Sequence, residues 1–228
     1  GFGPGGMFAA LVLAYAGARP IVLERGPEAA ARQRAVEAFR AGGPLDPEAN
    51  VQFGEGGAGT FSDGKLHTGT HDQRIQWVLE QFVRHGAPGH ICYDAKPHVG
   101  TDVLLRVVRA IRETVIADGG EVRFGAKVTG LSVKDGQITG VTVNGEQTLE
   151  TDRVILAIGH SARDTFAWLH GLGVPMERKA FSMGVRIEHR QADIDRAQYG
   201  RPRGKDLPPA EYALSCHLPD GSSAYTFC

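Results

Sequence analysis

The feature that most constrains this chain stands at its start, where Gly1-x-Gly3-x-x-Gly6 runs into a helix-compatible stretch ending at Gly17 and then into Pro20-Ile-Val-Leu-Glu24. At this spacing each glycine has its own task. One bends the chain, one lets backbone approach a pyrophosphate, and one lets the following helix pack closely on a strand. The helix N-terminus then presents unpaired N–H groups and a partial positive charge to an anion. The pattern alone says little, because with 31 glycines among 228 residues roughly half a match is expected by chance. A second match, Gly54-Glu-Gly56-Gly-Ala-Gly59, leads into Asp63-Gly64 instead of a helix, and Trp77 occupies the position where an acid would be needed. The first match has that acid: Glu24 follows Gly6 by eighteen residues and closes a short apolar strand. A carboxylate there accepts the hydroxyls of an adenosine ribose and repels a 2′-phosphate. Arg25 beside it lies either near the adenosine or in solvent.

Charge and cysteine content narrow the class further. With 25 Lys+Arg against 26 Asp+Glu the formal net charge is -1, which gives no electrostatic footprint for nucleic acid or an anionic membrane. The three cysteines, Cys92, Cys216 and Cys228, are widely spaced and offer neither a disulfide framework nor a zinc pair. The apolar run Met7 to Ala18 is too short to span a bilayer, and a cytoplasmic location is expected. The chain opens inside a turn and stops in the strand-like run Tyr225 to Cys228, so it is expected to be a fragment of a longer protein. As a fragment it is expected to retain cofactor poorly.

Further along, the patterning predicts helices over Glu28 to Arg40, Asp72 to Arg84 and Thr101 to Ala117, the last with Leu104, Val107, Val108, Ile111 and Val115 on one face. Arg106, Arg109 and Arg112 form a basic stripe on that helix, expected to be solvated. Val51 to Thr70 is glycine-rich, without period, and reads as a functional loop or linker. Short strands are expected at Glu121 to Phe124, Lys127 to Lys134, Gln137 to Val143 and Gln147 to Leu149. Asp135-Gly136 and Asn144-Gly145 mark tight hairpin turns with positive φ. Arg153 to Ile158 reads as a strand buried on both faces, and Ser161-Ala-Arg-Asp164 as a capping box opening a helix to about His170. Ala180 to His189 alternates like a strand, whereas Arg190 to Asp220 shows no clear pattern.

Gly1 to Gly6 with Glu24, and Thr151 to Gly159, resemble the paired FAD motifs of the glutathione-reductase-like flavoprotein superfamily. More narrowly, Phe53 to Leu66 and Lys179 to His189 resemble a family of FAD-dependent dehydrogenases whose substrates are mostly unassigned. The resemblance implies an α/β fold: a Rossmann-like FAD-binding domain over residues 1–172, with a parallel sheet and a meander at about 126–150, and the start of a substrate-side domain over 173–228. It implies pyrophosphate at Gly1, Gly3 and Pro4, ribose at Glu24, adenine near the backbone of Val128, and Ala157 and Gly159 close to the cofactor. By that resemblance the first strand and the C-terminal flavin-covering segment of the superfamily are expected to be missing from this sequence.

Within the glycine-rich loop, Gly56, Gly57 and Ala58 leave room for backbone beside the ribityl chain, and Thr60 or Ser62 can donate to phosphate or ribityl oxygens. Lys65 is the loop's only cation. Pointing inward it would stabilise charge on reduced flavin, and pointing outward it is a solvated lysine. It is the one catalytic candidate. No metal site is expected: His67 and His71 are four apart, but Gly69 lies between them and no ligand set converges. Arg186 and Glu188 are expected on one strand face, as an ion pair or a carboxylate-binding pair.

These readings add up to an FAD-dependent oxidoreductase passing hydride between a small-molecule substrate, or NAD(P)H, and the flavin. Two alternatives stand beside it: a flavin-fold binding or regulatory module without turnover, and an NAD-binding dehydrogenase using only the first glycine turn.

Overall fold

A computed structural model describes residues 1–62, 64–66, 68, 70–94 and 96–226. Asp63, His67, Gly69 and Cys228, which entered the sequence reading, lie outside the described residues. The chain divides into two compact units, Gly1–Met176 and Glu177–Cys228.

The first unit is mixed α/β. Helix α1 (Pro4–Tyr15) starts on a proline, whose missing N–H costs nothing in a first turn. It leads to strand β1 (Ile21–Leu23), which pairs in parallel with β2 (Glu121–Arg123) in the register Val22 to Val122. Between these strands lie α2 (Ala29–Arg40), α3 (Arg74–Arg84) and α4 (Thr101–Ala117). The core forms where α1 meets α4. Met7, Ala10, Leu11 and Ala14 pack with the anticipated stripe Leu104, Val107, Val108, Ile111 and Val115, and every one of these side chains is buried. Phe8 closes the layer edge-on against Phe82 of α3, ring centroids 5.3 Å apart. Among the described residues no helix is long and apolar enough to cross a membrane.

The meander forms as the turn chemistry requires. Strands β3 (Val128–Lys134), β4 (Gln137–Val143) and β5 (Gln147–Glu150) are antiparallel neighbours. Asp135 and Asn144 have φ of 52° and 53°, and the glycines that follow them both have φ of 77°. The meander is tied back to the parallel pair by Ala126 N–H donating to Glu24 O at 2.9 Å.

Three expectations for this unit require correction. Residues 153–158 are not a strand: among the described residues no ladder pairs with them, and Ile155 and Leu156 are exposed. The apolar run was correctly seen, but a strand also needs a neighbour to bond with. The capping box does not form either. Helix α5 (Arg163–Gly171) has Ala162 at its N-cap with no side-chain cap, because Asp164 is drawn to Arg25 and Lys127. Arg112 is not solvated; it pairs with Glu55 and Glu28.

The second unit holds helix α6 (Gln191–Tyr199) and a hairpin of β6 (Ser215–His217) and β7 (Ser223–Tyr225). The sequence pattern missed α6, which has almost no apolar stripe. It is held by polar contacts instead: buried Asp195 accepts from Ala210 N–H and Gln191 Nε2, both at 2.9 Å, and Arg203 pairs with it at 3.1 Å. Residues 180–189 form no strand. Their odd positions, Phe181, Met183, Val185 and Ile187, are all exposed, and among the described residues β6 and β7 pair only with each other.

Candidate dinucleotide site

The glycine turn, the end of β1 and the glycine-rich loop meet in one place, at the C-terminal end of the parallel strand pair. In open α/β sheets that is where ligands bind. α1 begins with Gly3 as its N-cap and has no side-chain cap. Its first-turn N–H groups therefore have no intrahelical acceptor and point toward the turn. Gly6 has to be glycine, because a Cβ there would fall on Gly1 O.

Glu24 is buried and closes this arrangement. Its Oε2 accepts Phe2 N–H at 2.7 Å, inside the turn; its Oε1 accepts Gly26 N–H at 2.9 Å and Gly54 N–H at 3.0 Å. A carboxylate offers about four acceptor positions, so three backbone donors leave one on Oε2. The carboxylate thus links the turn, the strand end and the loop, a structural task that the spacing rule alone did not reveal.

The loop packs directly on the turn. Gly56 N–H donates to Phe2 O at 2.8 Å. Gly57 has φ of 65°, and a Cβ on it would sit 2.8 Å from Gly3 Cα and 3.4 Å from Pro4 Cδ. Ala157 approaches from the other side, its carbonyl oxygen 2.6 Å from where a Gly1 Cβ would lie and its own Cβ 3.4 Å from the Gly6 position. Gly1, Gly3, Pro4, Gly6, Glu24, Gly56, Gly57 and Ala157 are therefore brought together.

The remaining candidates stand differently. Ala58 opens a short 3-10 helix, Ala58–Phe61. The hydroxyls of Thr60 and Ser62 donate to loop carbonyls, Glu55 O at 3.2 Å and Gly59 O at 2.6 Å. Lys65 is exposed, and its backbone bridges to His98. Gly159 has φ of 69°, with open space around it. Val128 begins β3 and packs into the small meander cluster with Ala126, Val141 and Val143.

Arg25 is neither solvated nor a free cation. It forks onto Glu48 at 2.6 and 2.9 Å and onto Asp164 at 2.9 and 3.0 Å, and its guanidinium lies 4.1 Å from the Phe53 ring centroid. Lys127 completes the quartet, 3.0 Å from Glu48 and 2.7 Å from Asp164. Burial opposes the charge on Arg25, but the hydrogen bonds it donates to Glu48 and Asp164 outweigh that and raise its pKa. The hydrogen bond from Arg25 holds both Asp164 and Glu48 below the ordinary carboxylate range.

Two residues beneath the loop were not anticipated. Arg32 on α2 is fully buried, and its nitrogens donate to Asn50 O at 2.9 Å, Glu55 O at 2.7 Å and Gly57 O at 2.8 Å. Glu55, also fully buried, accepts Ala29 N–H at 2.7 Å at the start of α2 and lies 3.0 Å from Arg112 Nε, without hydrogen-bond alignment. Burial lowers the Arg32 pKa to about 10 and raises that of Glu55. The signal for Arg32 was available: it lies four residues before buried Val36, so a charge sits on the inward stripe of α2.

Comparison with known proteins bears on the chain at large. Residues 180–228 match a family model described as FAD-dependent protein, C-terminal domain-like. An uncharacterised protein of Clostridium beijerinckii is 47% identical over 230 residues, covering 100% of this chain and 43% of that protein. The chain thus spans less than half the length of that relative. Over residues 180–228 the chain is similar to the C-terminal domain of FAD-dependent proteins, and its fold is a mixed α/β one containing a parallel strand pair.

Proposed function

We propose that the protein is a flavoprotein oxidoreductase that holds FAD across the site formed by the glycine turn, Glu24 and the loop Gly54–Gly57. The observation that carries this reading is the uncapped N-terminus of α1, walled by backbone alone on the side of Gly57. A diphosphate needs N–H donors, positive potential and no intruding side chain, and this place supplies all three. The family match in residues 180–228 supports FAD as the dinucleotide. In this reading Gly1, Gly3 and Pro4 line the pyrophosphate, and Glu24 offers its remaining Oε2 acceptor position to a ribose hydroxyl. The segment beginning at Val128 borders the adenine, and residues 173–228 open a substrate-side domain.

Bound flavin would supply the hydride chemistry, its substrate being a small molecule. The chain's own residues bind and orient. The α1 terminus offsets phosphate charge, Glu24 fixes the turn against the loop, and Gly57 keeps side chains out of the phosphate wall.

Full-length protein purified gently is expected to show a flavin absorption spectrum and to release FAD, identified by mass spectrometry. Gly57→Val should lower FAD affinity at least tenfold, because the new side chain enters the wall and the backbone is left-handed there. Full-length protein that carries no flavin and takes none up would overturn the reading, as would release of NAD in place of FAD.

A further inference from the structure

We propose that Arg32 is a positioning residue for the dinucleotide: it shapes the glycine-rich loop from behind and supplies unspent positive charge beneath the diphosphate. The inference rests on the reading of the site given above, and it concerns a residue outside the glycine motif.

The loop has two edges. On one edge two N–H groups hold it to the nucleotide site, Gly54 N–H on Glu24 at 3.0 Å and Gly56 N–H on Phe2 O at 2.8 Å. Its carbonyl edge faces the other way and converges on one guanidinium, which receives the carbonyls of Asn50, Glu55 and Gly57. Gly57 belongs to both edges, since its carbonyl binds Arg32 while its Cα lies against Gly3. The position of the phosphate wall is therefore set by Arg32. Gly54 makes room for it, because a Cβ there would lie 2.5 Å from Arg32 Cδ.

The charge is unusually placed. Buried guanidinium groups are ordinarily hydrogen-bonded to a carboxylate, because an unpaired buried charge is costly. Among the described residues Arg32 bonds only to carbonyls, Phe61 offers its ring face at 4.7 Å, and buried Nη2 has no acceptor. Glu24 and Glu55 act on it through space, but Glu24 is bonded to three backbone N–H groups and Glu55 to Ala29 and near Arg112. A diphosphate seated at the α1 terminus, across the contact between Gly57 and Gly3, would provide the missing counter-charge. Arg32 would then couple cofactor binding to loop order.

The test uses the full-length protein stripped of flavin and titrated with FAD by flavin fluorescence, with melting temperatures taken before and after loading. Arg32→Met removes charge and fork, Arg32→Lys keeps the charge and loses the fork, and Arg109→Ala is a surface control, since Arg109 is exposed and pairs only with Glu113 among the described residues. Arg32→Met is expected to raise the Kd for FAD by about a hundredfold and to shrink the melting-temperature gain on loading. Arg32→Lys should raise Kd by about tenfold, with Arg109→Ala unchanged. An Arg32→Met protein that melts lower by the same amount with and without FAD, with Kd within twofold of wild type, overturns the proposal and leaves Arg32 purely structural. Should that variant not fold, Arg32→Lys decides alone: a Kd within twofold overturns the proposal. Wild-type protein that binds no FAD fails earlier in the sequence of measurements and overturns the flavoprotein reading itself.

Discussion

Two charged clusters flank the same glycine-rich loop, and their pKa shifts run in opposite directions. In the half-exposed quartet of Arg25, Glu48, Lys127 and Asp164, each group favours the charged state of its partners: the carboxylates are driven down and the cations up. In the buried cluster of Arg32, Glu55 and Arg112, desolvation dominates, and the shifts resolved there, at Arg32 and Glu55, favour the neutral forms. The quartet is electrostatically complete. The buried cluster is maintained against its own solvation cost, a pattern that concentrates at functional sites and also occurs in structural ion networks.

The largest break in this contrast is expected from Glu55→Ala, which strips Arg112 of its buried partner and α2 of the acceptor for Ala29 N–H. A loss of about 3 to 5 kcal/mol in unfolding free energy, read by urea denaturation, is expected. A loss below about 1 kcal/mol would mean that the two clusters are equivalent. A smaller effect sharpens the comparison by pH. The raised folded-state pKa of Glu55 means that its contribution is fully present below the ordinary carboxylate pKa of about 4.3 and is lost as pH rises through the folded value. For Asp164 and Glu48 the folded values are depressed, so their contribution is present above about 4 and is lost as pH falls through those values. Stability of wild type relative to Glu55→Gln should therefore decline with rising pH from about 4, and relative to Asp164→Asn it should decline on acidification below about 4. The smallest effect is Asp164→Asn at neutral pH, about 0.2 to 1 kcal/mol, shrinking in high salt because the pair is solvent-accessible.

Local signals in the sequence were read well where one short stretch carries all the information. Asp135-Gly136 and Asn144-Gly145 dictate their turns through backbone preference alone, and the α4 stripe is visible in its period. Glu24 was located by spacing, and the structure puts it against the opening turn. What failed needed a partner distant in sequence. Residues 153–158 and 180–189 have strand-like composition, but composition does not supply the neighbouring edge. Asp164 had the right spacing for a capping box, yet cations at positions 25 and 127 compete for it more strongly than its own helix. Arg32 was passed over for a related reason. Its acceptors are carbonyls, which every residue has, so nothing in the letters of residues 50–57 announces them.

One consequence of that carbonyl set concerns how the loop can change in evolution. Acceptors at Asn50, Glu55 and Gly57 must all reach a single rigid fork, so the number of residues between them is fixed even where their side chains are free to vary. Relatives with this arrangement should accept substitutions readily at Val51 and Gln52, which are exposed, but no insertion or deletion between 50 and 57. A stretch that looks like an ordinary surface connection would behave, toward length changes, like the interior of a helix.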